Sequence, residues 1–374
     1  MPPLAQRNLF HDKVRLVVTL TGIVFAVVLI VVELGLFVGF TVTTSNLIDH
    51  AGADLWVSSP KVPYVEMGVP FSERKLNQVR AVPGVADAQK LISQWTQWKL
   101  HDGSQESVQI IGFTPDSTLG RPWNLVEGSV DDLKDPDAVI LDELYKEKLG
   151  VRRVGEIFEV RQHRARVVGF TRGIRSFTTS PYVFATFKHA QDFAGAKVDQ
   201  TTYILVKVAP GVKVEDVRRG ILASVKDVEV YTTPQFSRMT RFYWMFTTGA
   251  GVAVLIAAVL GLVVGFVVVA QTIYATTMDH VREFGTLKAM GAPNSYVYKV
   301  IMKQAAISAV IGYVLGMIVS VFVVRGSQAG GAAILMPLPM AVGMFFLTLL
   351  MCLGAALVSI NKVTRIDPAM VFKG

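Results

Sequence analysis

Residues 281–300, VREFGTLKAMGAPNSYVYKV, carry the residue spacing in this chain that is best suited to binding another molecule. The segment lies between two apolar runs and is too polar to remain in lipid. Phe284, Leu287 and Met290 recur three residues apart, so on a helix they share one side. A short amphipathic helix of this kind can lie on a lipid surface or dock into a groove on a partner protein. The chemistry that the pattern predicts is therefore non-covalent binding.

Two further residues of the same segment predict a sharp corner. Gly291 suits the end of a helix because glycine adopts the left-handed conformation at little cost. Pro293 suits the first turn of the next helix, where a backbone N–H is not needed. A rigid corner transmits force and a slack loop does not, which favours docking. A plain structured turn between two helices is the alternative.

Sequence motifs of enzymatic catalysis are absent. There is no G-x-x-x-x-G-K-[ST] phosphate loop, no H-E-x-x-H, no closely spaced set of Cys and His ligands and no nucleophile elbow. An acidic cluster lies in a proline-containing loop, where a solvated turn explains it better than a metal site; its members are Asp131, Asp132, Asp135 and Asp137. The sequence therefore predicts a non-catalytic chain that does not hydrolyse nucleotide and carries no cofactor or metal.

Four apolar segments predict membrane-spanning helices. The chain has 374 residues and is 51% apolar, and an apolar stretch of about 20 residues crosses the hydrocarbon core of a bilayer. The predicted spans are 14–40, 243–271, 305–324 and 340–360. The first is too long for the apolar part of a secretory signal, so we interpret it as a retained span.

The flanking charges predict the orientation of these spans. Lys and Arg accumulate in 1–13, 272–304 and 361–374, and basic flanks of short loops stay in the cytoplasm. Both termini and the 272–304 loop are therefore expected to be cytoplasmic. The large domain 41–242 and the loop 325–339 are then expected on the other side. The formal charge of +8 is explained by these flanks, so it does not indicate nucleic-acid binding.

Glu33 is the acidic residue that the predicted spans contain. A carboxylate within a bilayer is a candidate functional group, because burying it in hydrocarbon is costly. Glu33 lies late in the first span and can also reach outer headgroups or pair two helices. Both a transport role and a structural role remain open at this point.

Residues 41–242 predict a mixed α/β domain. Strand, helix and strand patterns occur in the order 53–59, 72–82 with Ser72 as the helix cap, 85–100 and 107–113, and they recur over 201–233. The repetition predicts a ferredoxin-like layer built from 41–113 and 201–242. The intervening residues 114–200, with a hairpin over 155–170, are expected to project as a separate insert lobe.

Three tryptophans of this domain have two interpretations. Trp95, Trp98 and Trp123 either line an apolar recognition surface or lie in the core of the domain. Their spacing alone does not separate the two, although buried tryptophans are the more common case.

The 282–292 segment also matches a family pattern, R-E-F/I-G-x-L-K/R-A-x-G-A. The matching positions are Arg282, Glu283, Phe284, Gly285, Leu287, Lys288, Ala289, Gly291 and Ala292. The tail NKVTRIDPAMVFKG matches at Arg365, Asp367 and Pro368. With one span, a large outer domain and three further spans, the chain resembles the FtsX/MacB-type ABC transporter permeases, and its first span is also similar to the DevC-like permeases. The resemblance implies a membrane α-helical fold with a large extracytoplasmic α+β domain, as in MacB and other type VII ABC transporters.

This resemblance implies a mechanism. The family's permeases work as dimers and are driven by an ATPase, which for this chain is expected to be a separate subunit that binds the ATP. The residues expected to couple the two are Arg282, Glu283, Phe284, Gly285, Leu287, Lys288, Met290, Gly291, Ala292, Tyr296, Arg365, Asp367 and Pro368. Closure of the ATPases is then passed through the spans to the outer domain as mechanical movement.

The resemblance also implies where the protein is located, what it transports and which partners it has. It implies a multi-pass protein of the inner membrane, in contact with lipids, that exports or extracts a lipid-like, lipoprotein or hydrophobic substrate. A homodimer or heterodimer of permeases is expected, with a periplasmic adaptor and an outer-membrane channel as further candidate partners. The alternative is an FtsX-like signalling scaffold that activates a periplasmic partner such as a cell-wall hydrolase.

Overall fold

The structure, a computed structural model, describes residues 13–176, 178, 180–329 and 333–364. Contacts divide the chain into two compact units. The helical unit takes its described residues from 1–39, 252–330 and 334–374. The α/β unit takes its described residues from 40–251 and 331–333.

Long apolar helices dominate the helical unit. The α-helices of the described residues are α1 (Lys13–Thr43), α2 (Asn46–His50), α3 (Lys75–Arg80), α4 (Phe187–Ala194), α5 (Val214–Ser224), α6 (Thr233–Phe242), α7 (Ala250–Asp279), α8 (Val281–Ala289), α9 (Asn294–Ala329) and α10 (Leu338–Thr364). In this part of the chain four helices, α1, α7, α9 and α10, are long and apolar enough to cross a membrane. The predicted membrane-helical fold is confirmed.

The second span helix begins later than the predicted position 243. Residues Tyr243–Thr247 form a π-helical turn. Gly249 then adopts φ = +75°, a conformation that interrupts a helix, and α7 begins at Ala250. The aromatic residues before Gly249 are apolar enough to extend the hydropathy pattern, which explains why the sequence places the start of the span too early.

The predicted cytoplasmic loop 272–304 is largely helical. α7 continues to Asp279, and its late threonines do not leave hydroxyl groups unpaired: Thr272 and Thr276 donate to backbone carbonyls one turn earlier. α9 already begins at Asn294. Only short connections around α8 therefore remain outside the helices, so the segment is much stiffer than a loop.

Glycines bring the span helices together. A Cβ added at Gly312 of α9 would lie 2.5 Å from Ile23 Cγ2 of α1, and one at Gly265 of α7 would lie 2.8 Å from Ile30 Cδ1. Neither site has room for a side chain, so α1 packs closely against both helices. Close backbone approach of this kind replaces the hydrophobic driving force that is missing between helices in lipid.

The α/β unit is built on one large sheet. Strands from 53–113 and 201–233 form the first part of this sheet, and strands from 114–200 form the rest. Its strands, with the small β2–β10 pair, are β1 (Leu55–Ser58), β2 (Phe71–Ser72), β3 (Val85–Lys99), β4 (Gln105–Phe113), β5 (Leu125–Glu127), β6 (Ala138–Asp142), β7 (Ile157–Val160), β8 (His163–Thr171), β9 (Tyr182–Thr186), β10 (Gln200–Thr201), β11 (Tyr203–Val208) and β12 (Glu229–Thr232). The order in the main sheet is β12-β1-β11-β3-β4-β9-β6-β8-β5, and β7 pairs with β3 and β8.

The first part of this order is the ferredoxin-like arrangement. β11 lies antiparallel between β1 and the first half of β3, and β12 lies antiparallel on the other side of β1. The connections β1–α3–β3 and β11–α5–β12 are the two split strand–helix–strand units. An apolar cluster that includes Val79 of α3 and Ile221 of α5 covers one face of these strands. Residues 53–113 and 201–233 therefore share one layer.

The insert 114–200 does not form the separate lobe expected from the sequence. β9 pairs in parallel with β4, from Gln109 opposite Tyr182 to Phe113 opposite Thr186. The insert strands thereby continue the sheet, and one buried cluster holds Trp56, Phe113, Phe184 and Tyr203 from both segments. Pairing of this kind covers the edge of β4 that would otherwise be open.

The helix predicted over 72–82 is shorter than expected. α3 covers Lys75–Arg80, and Ser72 lies in β2, where it pairs with Gln200 instead of capping the helix. The N-cap residue is Arg74, whose side chain makes no capping hydrogen bond. The serine pattern is misleading because a strand residue three positions before a short helix has the same sequence signature as an N-cap.

Candidate functional site

The segment 281–300 folds into a sharp helical corner between two span helices. α7 ends at Asp279, α8 starts at Val281, and α9 starts at Asn294. His280 alone separates α7 from α8. The two span helices are therefore joined only by α8 and short connections.

A complete set of backbone hydrogen bonds closes the corner. Gly291 adopts φ = +92°, and its N–H donates to Lys288 O at 2.9 Å. The N–H of Ala292 donates to Leu287 O at 3.0 Å. These two bonds are the Schellman pattern that ends many helices at a left-handed glycine. Pro293 then opens the next helix, with Tyr296 N donating to Pro293 O at 2.9 Å. Gly291 and Ala292 thus have structural roles in the family motif.

Phe284 anchors the corner to the helical unit. Its side chain is completely buried, in a cluster that includes Val297, Val300 and Ile301 of α9. Leu287 is partly buried and packs against the same cluster. Gly285 is also buried. The apolar side predicted from the spacing is therefore divided, since its first residue faces its own chain and cannot fill a groove on another protein.

Met290 is the exposed member of that apolar side. It is 72% exposed at the tip of the corner, and Tyr296 on α9 is 41% exposed. Both side chains lie outside the spans predicted from the sequence. An exposed methionine and an exposed tyrosine in one corner suit a contact with a partner protein, because both residue types are enriched at interfaces.

The charged residues of the 282–292 motif belong to α8. Arg282 and Glu283 are exposed, and Lys288 is partly buried. Glu283 lies in the first turn of α8 and Lys288 in the last, which complements the helix dipole. Glu283 Oε1 also lies 3.0 Å from Nδ1 of the buried His280. Glu283 and Lys288 therefore stabilise α8 itself.

Glu33 lies at a contact between helices. It is partly buried on α1, and its Cγ lies 2.8 Å from the position of a Cβ added at Gly261 of α7. Because Gly261 has no side chain, the side chain of Glu33 fits at this contact. The geometry favours the helix-pairing interpretation of Glu33, while a transport role stays a prediction.

The structure describes the acidic cluster but not the predicted residues of the tail. Arg365, Asp367 and Pro368 lie outside the described residues. In the acidic cluster, Asp132 takes part in a capping box with Ser129. The neighbouring carboxylates form ion pairs: Lys134 with Asp131, Arg166 with Asp135 and Arg164 with Asp137. Within the described ranges, no group of three or more His, Cys, Asp or Glu is arranged to hold a metal ion.

Glu66 is a buried acidic residue that no sequence pattern singles out. It lies in a 3₁₀ turn of the α/β unit, is only 4% exposed, and burial raises the pKa of its carboxyl to about 7. Tyr64 stacks on Tyr243 at 4.3 Å and lies edge-on to Trp244. The signal in the sequence is a lone acid between Val65 and Met67, which is too common to single out.

Comparison with known proteins finds family matches and relatives along most of the chain. Residues 16–224 match the MacB-like periplasmic core domain, and residues 238–368 match the FtsX-like permease C-terminal domain. The chain is 26% identical over 385 residues to an uncharacterized ABC transporter permease of Mycobacterium tuberculosis (strain CDC 1551 / Oshkosh), covering 99% of each chain. It is 25% identical over 373 residues to another uncharacterized ABC transporter permease, from Mycobacterium bovis, again covering 99% of each chain.

Among solved structures, the chain is similar to the periplasmic region of MacB from Actinobacillus actinomycetemcomitans. The identity is 12%, the match covers 51% of this chain and 94% of that chain, and the TM-score is 0.40.

Proposed function

Because the chain belongs to the family of FtsX/MacB-type ABC transporter permeases, we propose that it is the transmembrane subunit of a transporter whose ATPase is a separate chain. Relatives that match it over 99% of their length are named permeases, which supports a non-catalytic role for this polypeptide. ATP is bound by the partner, and the 281–296 corner is the surface on which the partner acts.

The observation that carries this proposal is the rigidity of the corner. The Schellman bonds fix its backbone and the buried Phe284 fixes α8 against α9. A partner that pushes on Met290 or Tyr296 therefore moves α8 as a body. Since α7 and α9 continue from the same corner, the push reaches both span helices without being absorbed by a flexible loop.

The positions of the exposed groups suggest how the partner binds. Met290 and Tyr296 supply exposed apolar area to the contact, and Arg282, Glu283 and Lys288 supply charge from the same corner. Charges at the rim of an interface mainly set orientation and rate of association, whereas buried side chains at its centre supply most of the affinity. Phe284 contributes by positioning this surface.

The proposed cargo is lipid-like, lipoprotein or otherwise hydrophobic. The span helices present apolar side chains such as Ile256, Val263 and Phe322 on their exposed surfaces, which suits a device that works within lipid. Its movement is passed on mechanically through the spans. The proposed setting is the inner membrane, with both termini cytoplasmic and two permeases paired in the complex.

Substitution at Met290 tests the proposed contact. Met290→Asp places a charge where the partner's surface would exclude water, and an unpaired buried charge is costly. Recovery of the ATPase with the tagged chain from native membranes should fall by about tenfold or more, equivalent to about 1.4 kcal/mol or more. Leu287→Asp is the weaker test, because Leu287 also packs inside the chain.

Val198→Asp is the matched control for this substitution. Val198 is 85% exposed in the α/β unit, so the same charge is added to the surface of the chain outside the corner. ATPase recovery should match that of the unmodified chain. If Met290→Asp retains normal ATPase recovery and normal transport of a labelled lipid at equal membrane levels, the corner is only a turn. Transport in reconstituted vesicles also separates a transporter from a signalling scaffold.

A further inference from the structure

Trp95 stands apart from the other tryptophans of the β3 region. Trp98, three positions later, is completely buried and donates to Leu149 O at 3.1 Å. Trp95 is 39% exposed and lies on the opposite face of β3, because side chains of a strand alternate between faces. Gln97 and Lys99 lie on the same face as Trp95, because they follow it at intervals of two residues. An indole left in solvent on a polar face is unusual enough to need an explanation.

The indole lines a polar cavity of about 550 Å³ in the α/β unit. The lining residues come from β3, the start of β4 and the β7–β8 hairpin, and are Trp95, Thr96, Gln97, Lys99, Gln105, Glu159, Arg161 and Gln162. Every member except Trp95 is polar. The volume lies within the range of about 300–1,000 Å³ that is usual for small-ligand pockets.

The hairpin at the rim adopts a conformation that its residues do not favour. Arg161 and Gln162 connect β7 to β8 and have φ values of +48° and +68°. This two-residue turn normally takes Asn and Gly, because other side chains are strained at positive φ. Here two long hydrogen-bonding side chains occupy the turn at the mouth of the cavity. Strain of this kind is often found where a side chain has a binding role.

The end of α4 fixes Arg161 in position. A Cβ added at Gly195 would lie 2.6 Å from Arg161 Cζ, so the guanidinium rests directly on the backbone of that glycine. Gly195 itself ends α4 with φ = +64°. The planar donor group of Arg161 is therefore held at the rim instead of moving freely in solvent.

We propose that this cavity binds a sugar residue of a glycan. The C–H face of a pyranose ring packs on the Trp95 indole, and the amides of Gln97, Gln105 and Gln162 hydrogen-bond the hydroxyl groups at the ring edge. The glycan is either the headgroup of a glycolipid or a polysaccharide outside the membrane, since both present the same ring.

The composition of the cavity argues against other ligand classes. One apolar side chain is too little to hold an acyl chain. Lys99 Nζ lies 2.8 Å from Glu159 Oε2, and this pairing neutralises one of the two cations in the lining that would attract a multiply charged anion. A protein partner requires about 1,000 Å² of contact with an apolar centre. A sugar matches both parts of the surface, because its ring offers an apolar face and a polar edge.

Binding of oligosaccharides to the full-length chain in nanodiscs tests the proposal. The probes are chitotetraose, cellotetraose, maltotetraose and mannotetraose, followed by tryptophan fluorescence and isothermal titration calorimetry. At least one probe should bind, and Trp95→Ala should weaken it by about tenfold or more. Gln97→Ala and Arg161→Ala should each weaken it by about two- to tenfold, the effect of losing one hydrogen bond.

Arg164→Ala is the matched control. Arg164 lies on the same hairpin, outside the lining of the cavity, and is exposed. Its loss should leave affinity unchanged. Comparing a soluble probe with a glycolipid carrying the same sugar in the nanodisc identifies the source of the glycan.

Two results would overturn the proposal. The first is that no probe binds with a Kd below about 1 mM, or that Trp95→Ala binds as tightly as the unmodified chain. The second is that a photoreactive residue at position 97 captures a protein and no glycan, which would assign the cavity to a protein partner.

Discussion

At the residue scale, the buried carboxyl of Glu66 links the stability of the α/β unit to pH. Glu66 is almost inaccessible to water, and this loss of solvation raises the pKa of its carboxyl to about 7, while the neighbouring Trp244 side chain lowers it by a smaller amount. Burial also raises the pKa of the Tyr182 and Tyr203 phenols, so these groups remain neutral near neutral pH. Glu66 therefore changes charge in a range where its phenol neighbours do not.

The α/β unit should lose stability as the pH rises through about 7. The folded pKa of Glu66 is about 7 and its ordinary value is 4.5. The folded state therefore keeps a proton that the unfolded state has released. The stabilisation is complete below pH 4.5 and is lost progressively as the pH rises through the folded pKa, with a total of about 3 kcal/mol.

Thermal unfolding of the detergent-solubilised chain between pH 5 and 8.5, followed by tryptophan fluorescence, measures this effect. Glu66→Gln should remove most of the slope and should stabilise the unit at pH 8. Glu159→Gln, at an exposed carboxyl, should keep the slope. Equal slopes for the unmodified chain and Glu66→Gln would show that this carboxyl is not the responsible group.

The side chains of the corner show what spacing reveals about single residues and what it does not. The period of Phe284, Leu287 and Met290 correctly predicts a helix, and Gly291 correctly predicts where that helix ends. It does not predict that Phe284 is buried and Met290 exposed. Periodicity relates residues of one helix to each other, whereas burial depends on where α9 packs. For the same reason, the sequence pattern does not show that Trp95 is exposed and Trp98 is buried.

At the scale of elements, local patterns predict helices and strands better than their ends and partners. The four spans and the ferredoxin-like strands follow from hydropathy and alternation. The start of α7 depends on the backbone of Gly249, which hydropathy does not register. The pairing of β4 with β9 joins residues far apart in sequence, so no local pattern predicts that the insert continues the sheet.

Two glycines of α9 should respond in opposite ways to the same substitution. Gly312→Ala places a Cβ 2.5 Å from Ile23 Cγ2, so the helices must separate, at a cost of about 1–3 kcal/mol. A Cβ at Gly326 meets nothing within 4 Å. Gly326→Ala should be neutral or stabilise the helix by up to about 1 kcal/mol, because alanine favours the helical conformation.

The melting temperature of the two variants in detergent distinguishes these cases. Gly312→Ala should melt at a lower temperature than the unmodified chain, and Gly326→Ala should not. A decrease of similar size in both would mean that the α1–α9 contact does not depend on the missing side chain.

At the scale of the whole molecule, the helical corner is the feature on which the proposed mechanism of the permease rests. α7 and α9 continue from it into the membrane, and Phe284 and Gly291 make it stiff. The family and the four spans could be predicted from sequence because the 282–292 pattern and the hydropathy are both local. The mode of coupling could not, because it depends on which side of α8 remains exposed once the helices pack.

Site-specific photo-crosslinking in intact membranes tests the central claim most directly. A photoreactive residue replaces Met290 in the full-length chain, and the same residue replaces Val198, which is exposed in the α/β unit, in the control. The account predicts a covalent adduct between position 290 and an ATP-binding protein, and none from position 198. Failure of position 290 to capture an ATP-binding protein, in membranes where the chain is functional and a transport substrate is moved, would contradict the claim that the corner is the surface on which the ATPase acts.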